Sequence, residues 1–265
     1  MKSTEGKIQN IRSNGYDLDF GTVFNHAFET YKKIAVNAGI ALLLFAILFA
    51  IVVLGIFVGI MGIGTSMEEL QQFNLASFSP SAIMAYIVFM ILGTSLASPL
   101  TAGLTKMARN ASKNETFSIG TAFEYYSSPY FKDIFLATLI LSSFTTIVAV
   151  GLELVDYKFL GMLVNLIFSF MTFLTLPLII FGDLKPTEAI QGSITLVSKQ
   201  FFIILGLLIV AGLFCVLGIF AFCIGIIFTM PFINAMTYSI YASIVLDEEP
   251  ENTEHEISEN IQSIE

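Results

Sequence analysis

Long uncharged runs alternate with short polar connections along most of this chain. Such runs occupy residues 38–63, 82–105, 134–152 and 159–182, and a fifth covers 47 residues, 200–246, without a single charge. A helix crosses the hydrocarbon of a bilayer with about 20 apolar residues. The fifth run is over twice that length, so it reads as a tight hairpin with spans at 200–217 and 222–246 and a turn within Gly218–Gly225, near Gly218. The pattern predicts an all-α polytopic membrane protein with six transmembrane helices.

Three connections carry a second pattern. Phe20, Val23, Phe24, Ala27, Phe28, Tyr31 and Ile34 form one apolar stripe, with Thr22, Asn25, His26, Glu29, Thr30, Lys32 and Lys33 opposite. Ile119, Ala122, Phe123, Tyr126 and Tyr130 repeat the spacing less cleanly around Pro129, and Ile190, Ile194, Val197 and Phe201 repeat it again. Spacing of three and four residues marks a helix, and beside a membrane such a helix is expected to lie in the interface. The openings also echo one another: Gly21-Thr-Val-Phe, Gly120-Thr-Ala-Phe and, more loosely, Pro186-Thr-Glu-Ala.

The second span of each expected hairpin contains a proline, Pro99, Pro177 or Pro231. Proline deletes a backbone donor and kinks a helix, so three comparable positions predict three comparable kinks. Each unit then reads as interfacial helix, span, outward turn and proline-bearing span. Three parallel copies occupy 20–246, between an N-terminal segment 1–19 and a tail 247–265.

Composition agrees with this placement. Of 265 residues, 55% are hydrophobic and only 12% charged, about half the charged share of a typical soluble domain. There are 26 Phe and no Trp, so Tyr31, Tyr86, Tyr157 and Tyr241 are the expected interfacial aromatics. The net charge of −9 belongs largely to the tail, where eight of the 21 acidic residues follow Leu246. That tail holds too little apolar surface to fold and is expected to be disordered. The first 37 residues are too polar for a cleavable signal peptide.

Orientation follows from Lys and Arg in the short connections. Eleven of the twelve basic residues fall on the side shared by both termini, and only Lys158 falls on the other. Both termini are therefore expected to be cytoplasmic.

The chemistry expected at membrane depth is sparse. Every Asp, Glu, Lys and Arg lies outside the spans or at their edges, as with Lys106, Asp133, Glu153 and Asp183. Charges within the membrane are what proton relays and ion paths require, so ion coupling is not expected. Two histidines, His26 and His255, cannot assemble a metal site, and Cys215 and Cys223 sit in an uncharged stretch without a zinc pattern. No phosphate loop, nucleophile elbow or zinc-protease motif is present. The expectation is no catalytic residue, no cofactor and no metal. Asn165 and Asn234 are the costliest polar groups to bury and are the candidate interior residues, whereas Ser and Thr at depth read first as glue between helices. Gly55 and Gly59 have the spacing that permits close helix approach, within the chain or between copies of it, which leaves a homo-oligomer open.

Several segments are together distinctive: the Phe20–Ile34 opening, Ser98-Pro-Leu-Thr-Ala-Gly-Leu, Pro186-Thr-Glu-Ala-Ile-Gln-Gly-Ser and Gly225-Ile-Ile-Phe-Thr-Met-Pro-Phe, ending at Tyr238–Tyr241. In these the chain resembles a broad group of bacterial six-helix membrane proteins, which includes the membrane-embedded domain fused to some glycerophosphodiester phosphodiesterases. The resemblance implies a six-helix fold in a bacterial inner membrane and no site residues. No segment here resembles the soluble phosphodiesterase barrel, so hydrolase activity is not implied.

Two functions remain. The first is a non-enzymatic scaffold or lipid-associated module, and the alternative is a transporter or channel for a small neutral or lipophilic solute. Membrane lipids are the expected partners, a protein partner is unidentified, and nucleic acid is not expected. The charge bias makes a direct prediction in a background lacking both native cysteines. Ser66→Cys should react with a membrane-impermeant maleimide added outside intact cells, and Ser118→Cys should react only after the cells are opened. The opposite labelling pattern would invert the topology.

Overall fold

A computed structural model describes residues 4–61, 79–220 and 225–246, and its described residues are helical with short connections. The elements are α1 (Thr4–Asn14), α2 (Phe20–Met61), α3 (Pro80–Ser112), a 3-10 helix (Ile119–Tyr126), α4 (Phe131–Leu154), α5 (Lys158–Thr172), α6 (Thr175–Ile180), α7 (Pro186–Lys199), α8 (Phe201–Phe220), α9 (Gly225–Thr229) and α10 (Pro231–Tyr241). A π-helical turn, Ala242–Leu246, follows. Gly59 belongs to α2, but its surroundings lie outside the described residues, as do Cys223, His255 and the tail.

Among the described residues, five helical segments are long and apolar enough to cross a membrane: Phe20–Gly55, Pro80–Ser112, Phe131–Leu154, Lys158–Ile180 and Phe201–Gly218. The expected sixth span is not one helix. Its described part is divided between α9, α10 and the π turn, with Met230 at the division and Pro231 opening α10. The ends of α8 and α9 approach closely. A Cβ on Gly218 would lie 2.8 Å from the Gly225 carbonyl carbon, so only glycine lets the two arms meet there.

The three amphipathic segments fold in three different ways. Phe20–Ile34 is not a separate interfacial helix but the first part of the 42-residue α2, which nothing interrupts. Its stripe faces protein: Phe24 meets Phe232 edge-on at 6.1 Å, Phe28 meets Phe214 at 6.2 Å, and Tyr31 meets both, at 5.2 and 5.4 Å. Aromatic pairs of this geometry each contribute about 0.5–1.5 kcal/mol beyond area burial. The second segment is a 3-10 helix of eight residues, ending before Pro129. The third is α7, an independent helix opened by Pro186. Tight connections prevent a longer second helix, because the 3-10 segment sits directly on α3. A Cβ on Gly103 would lie 2.0 Å from the Ala122 carbonyl oxygen.

The proline sites also differ. Pro99 lies inside α3, which continues through it, whereas Pro177 and Pro231 sit in the first turn of new helices. Gly55 does not serve the packing expected of it within the chain, since a Cβ there would meet nothing within 4 Å. Tyr31 and Tyr241 pack inside the bundle rather than at an interface, and Tyr241 is fully buried. Tyr157 is exposed, on a tight turn whose Asp156 adopts the left-handed conformation at φ 63°.

Packing is uneven along the bundle. Residues 100–111, 174–180, 189–197 and 232–245 supply most of the buried core, at the end carrying Lys106, Arg109 and Asp183. Towards the other end large apolar side chains turn outward, such as Leu48, Ile51 and Leu54 on α2 and Met84 and Val88 on α3. Exposed leucine, isoleucine and methionine over this length suit lipid rather than water.

These glycine contacts predict opposite effects. Gly103→Ala should cost about 1–3 kcal/mol through overpacking, read as a lower unfolding temperature in detergent. Gly55→Ala should be neutral or raise stability by about 0.5–1 kcal/mol through helix propensity. Equal effects would contradict the placement of the 3-10 helix against Gly103.

Candidate functional site

The interior site begins with the Ser and Thr residues of α3, α4 and α5. Side chains of this type in a helix donate to the carbonyl one turn earlier, and most here do so. Thr94 donates to the Met90 carbonyl at 2.8 Å, Thr105 to Thr101 at 2.9 Å, Thr138 to Ile134 at 3.0 Å, Thr145 to Leu141 at 3.1 Å and Thr172 to Phe168 at 2.8 Å. Ser98 donates to the Ser95 carbonyl at 2.8 Å. That carbonyl would otherwise have received the amide that Pro99 lacks, so Ser98 repairs the gap that proline makes.

These residues converge on one cavity of about 600 Å³. The α3 side contributes Thr94, Ser98, Thr101 and Thr105, α4 contributes Thr138, Ser142, Thr145 and Thr146, and α5 contributes Asn165, Ser169 and Thr172. Thr175 and Pro177 of α6 and Asn234 and Thr237 of α10 join them, and apolar side chains, among them Met90, Leu141, Phe168, Phe173 and Ile233, fill the rest of the wall. Both asparagines and one of the prolines singled out in the sequence therefore meet in one place. Pro99, Pro231 and Gly55 do not line it. Asn234 is partly buried, whereas Asn165 is exposed at the cavity's open side, so only Asn234 occupies the interior position expected of both.

The donor and acceptor inventory is unusual. Each Ser or Thr that has given its proton to a carbonyl presents only oxygen lone pairs to the cavity. The carboxamide oxygens are also engaged, Asn165 accepting from Ser169 at 3.1 Å and Asn234 touching the Thr105 hydroxyl at 3.4 Å. Thr175 is 1% exposed, and its hydroxyl has no hydrogen-bond partner. The cavity thus offers two carboxamide NH2 groups, the hydroxyls of Thr101, Thr146 and Thr237 as further donors, and a set of hydroxyl acceptors, with no charged group on its wall, while the Thr175 hydroxyl is buried behind that wall.

A second cavity, of about 440 Å³, continues from the first and shares Asn165 and Ser169 with it. It leads past Gly161 to Glu153 and Lys158, which form a 3.6 Å ion pair beside the turn between α4 and α5. At the opposite end Thr105 adjoins Lys106, which pairs with Glu124 at 2.6 Å, while Arg109 pairs with Glu115 at 3.3 Å. Tyr130 there donates to Asp183, a bond that raises the phenol pKa above its ordinary value, with burial adding to it. Tyr125 is raised too, chiefly by burial.

The break between α5 and α6 shapes the cavity floor. Ser193 of α7, fully buried, donates to the Met171 carbonyl at 2.9 Å and accepts from the Leu174 amide at 3.1 Å. One hydroxyl thereby satisfies both sides of the interruption and turns Thr175 and Pro177 into the cavity wall. Sequence reasoning placed Thr172 and Thr175 at depth but had no signal for Ser193, which lies in a polar connecting helix.

His26 bonds Ser112 at 2.7 Å and stands beside Tyr238, joining α2 to the end of α3. Cys215 is buried against Thr229, whose hydroxyl donates to the Cys215 carbonyl at 3.2 Å.

Fold and composition place the chain among multi-pass α-helical membrane proteins. It matches no protein-family profile, and comparison with curated proteins and with solved structures finds no match.

The two buried hydroxyls make a paired prediction. Ser193→Ala strands a carbonyl and an amide and should cost about 1–3 kcal/mol. Thr175→Val removes a hydroxyl with no protein partner and should leave stability unchanged or slightly higher. Thermal unfolding of both variants in one detergent decides it, and a Thr175→Val loss as large as that of Ser193→Ala would mean that the hydroxyl is bonded within the protein.

Proposed function

We propose that this chain is a non-enzymatic membrane protein that takes a small uncharged polar molecule, or the polar part of a lipophilic one, into the cavity between α3, α4, α5 and α10. The observation that carries this reading is the cavity wall itself, with carboxamide and threonine hydroxyl donors, hydroxyl acceptors and no charge. Such a surface substitutes for the hydration of a neutral hydroxyl- or amide-bearing solute. It offers no counter-charge to an ion, which at this depth would be costly to hold.

Of the two functions the sequence allowed, the cavity favours the transporter or channel for a neutral solute over the scaffold. An apolar, closely packed centre would have favoured the scaffold. In the same reading, residues 225–246 form a sixth crossing antiparallel to α8, and both termini are cytoplasmic in a bacterial inner membrane. The three hairpins descend from one ancestral unit whose connecting segments have diverged. This arrangement is consistent with the resemblance to the bacterial six-helix group, from which no site residue is carried over. Exposed Gly55 leaves a face of α2 available to a second copy.

Reconstituted vesicles test the proposal with glycerol as the probe. Protein should raise glycerol-driven swelling above that of empty vesicles. Asn234→Leu should reduce the added rate about tenfold, as expected when roughly 1.4 kcal/mol of hydrogen bonding is lost from the passage. Thr175→Val should reduce it less, and sodium flux should stay at background. Swelling equal to that of empty vesicles, or unaffected by Asn234→Leu, would overturn the reading.

A further inference from the structure

The two joined cavities form more than an internal chamber, because their polar wall continues to the outside of the bundle. Thr94 and Thr101 of α3 and Asn165 and Ser169 of α5 are all exposed, and all lie within stretches long and apolar enough to cross a membrane. Their neighbours on the rim include Met162 at 67% exposure and Leu166 at 63%. Polar side chains are rarely turned to hydrocarbon unless something polar meets them there. The flank of this protein therefore carries a polar furrow with apolar lips.

The furrow runs through most of the membrane's thickness. From Lys158 to Thr172, the two ends of α5, the chain advances 14 residues in one helix. At about 1.5 Å per residue this is about 21 Å of the roughly 30 Å hydrocarbon core, and the wall continues past the break to Pro177. Charged side chains stand at both ends, Glu153 with Lys158 and Lys106 with Glu124, and none lines the stretch between them.

We propose that this furrow conducts the headgroups of membrane lipids between the two leaflets, and that the lipids it accepts carry uncharged, hydroxyl-bearing headgroups, as glycolipids do. The inference rests on the proposed function above and names the substrate class of the same site. A laterally open furrow solves a problem that an enclosed pore cannot. The headgroup slides along hydroxyl and carboxamide groups while the acyl chains stay in hydrocarbon beyond the lips. Selection follows from charge. A hydroxyl-rich headgroup exchanges its water for the acceptors of Thr94 and Thr145 and the donors of Asn165 and Asn234, whereas an anionic phosphodiester would cross about 21 Å or more of apolar surroundings without a cation beside it.

The test uses the full chain in unilamellar vesicles and two acyl-labelled fluorescent lipids, a monoglucosyl lipid and phosphatidylglycerol. Dithionite added outside bleaches only the outer leaflet, so protein-dependent bleaching beyond that half reports crossing. The glucosyl lipid should cross at least about tenfold faster than in protein-free vesicles and about tenfold faster than phosphatidylglycerol. Asn165→Leu combined with Ser169→Ala should abolish most of this gain. Thr195→Ala, on α7 beside α1 and away from the furrow, should leave it unchanged. Both variants should elute and unfold like the parent, which separates loss of the path from loss of the fold.

If the glucosyl lipid does not cross while glycerol still passes, the lipid inference fails and the neutral-solute function stands. If neither crosses, both fail. Equal crossing by phosphatidylglycerol would overturn the selection by charge. Crossing insensitive to Asn165 and Ser169 would overturn the path. An Asn165→Cys variant that cross-links to a second copy in membranes would assign the furrow to a subunit interface instead, and the inference would fall.

Discussion

Each unpaired backbone amide or carbonyl in hydrocarbon costs several kcal/mol, yet this chain interrupts its backbone ladder within spanning segments at Pro99 and at Phe173–Leu174, and again at Met230 in the divided stretch beside α8. Polar side chains cover the first two. Ser98 covers the Ser95 carbonyl, and Ser193 reaches in from α7 to hold the Met171 carbonyl and the Leu174 amide. At the Met230 division the Met230 amide still reaches the Ile226 carbonyl at 2.8 Å, so the break there begins with Pro231. The rest of the architecture follows from these repairs. Because Ser193 is held between α5 and α6, α7 must lie against the bundle, and α1 packs on α7 in turn. Tyr16 donates to the Leu196 carbonyl, and Gln200 donates back to Tyr16.

The same chemistry sets the character of the cavity. Threonines that satisfy their own helix lose their only proton and become acceptors, so part of the hydroxyl wall only accepts. The carboxamides and Thr101, Thr146 and Thr237 supply the donors. Packing then decides where this wall is left open. The bundle is closed by Phe232, Met236, Tyr238 and Leu178 at the charged end. Farther out, α5 packs mainly on α4 and α7, and the cavity lies between it and α3 and α10.

Much of this was legible in the sequence, for a physical reason. Membrane crossing is written in length and absence of charge, so the five spanning stretches could be read from runs such as 82–105 and 134–152 without tertiary information. Asn165 and Asn234 stood out because a carboxamide is expensive in hydrocarbon wherever it points. The local form of the connections was not legible. Phe20–Ile34, Ile119–Tyr126 and Pro186–Lys199 share a spacing, but their form is set by what they meet: an aromatic cluster from α8 and α10, the bare backbone at Gly103, and the break at Leu174. Gly103 and Gly55 look alike in a sequence. Only the neighbour at Ala122 separates a glycine that the fold requires from one that it does not.

The cavity itself could not be read in advance because no helix contains it. Each of α3, α4 and α5 carries a modest row of hydroxyls that, taken alone, is indistinguishable from interhelical glue. Ser95 and Ser142 behave as such glue, 3.4 Å apart across α3 and α4. Had all the rows paired in that way, the centre would be dry and closed. They do not, because the break at Phe173–Leu174 ends α5 and sends α6 off as a separate helix, and the unpaired remainder of each row then faces the same gap. A polar gap beside hydrocarbon is stable only while something polar occupies it. The repair that Ser193 makes to the backbone is therefore also what gives the molecule a site.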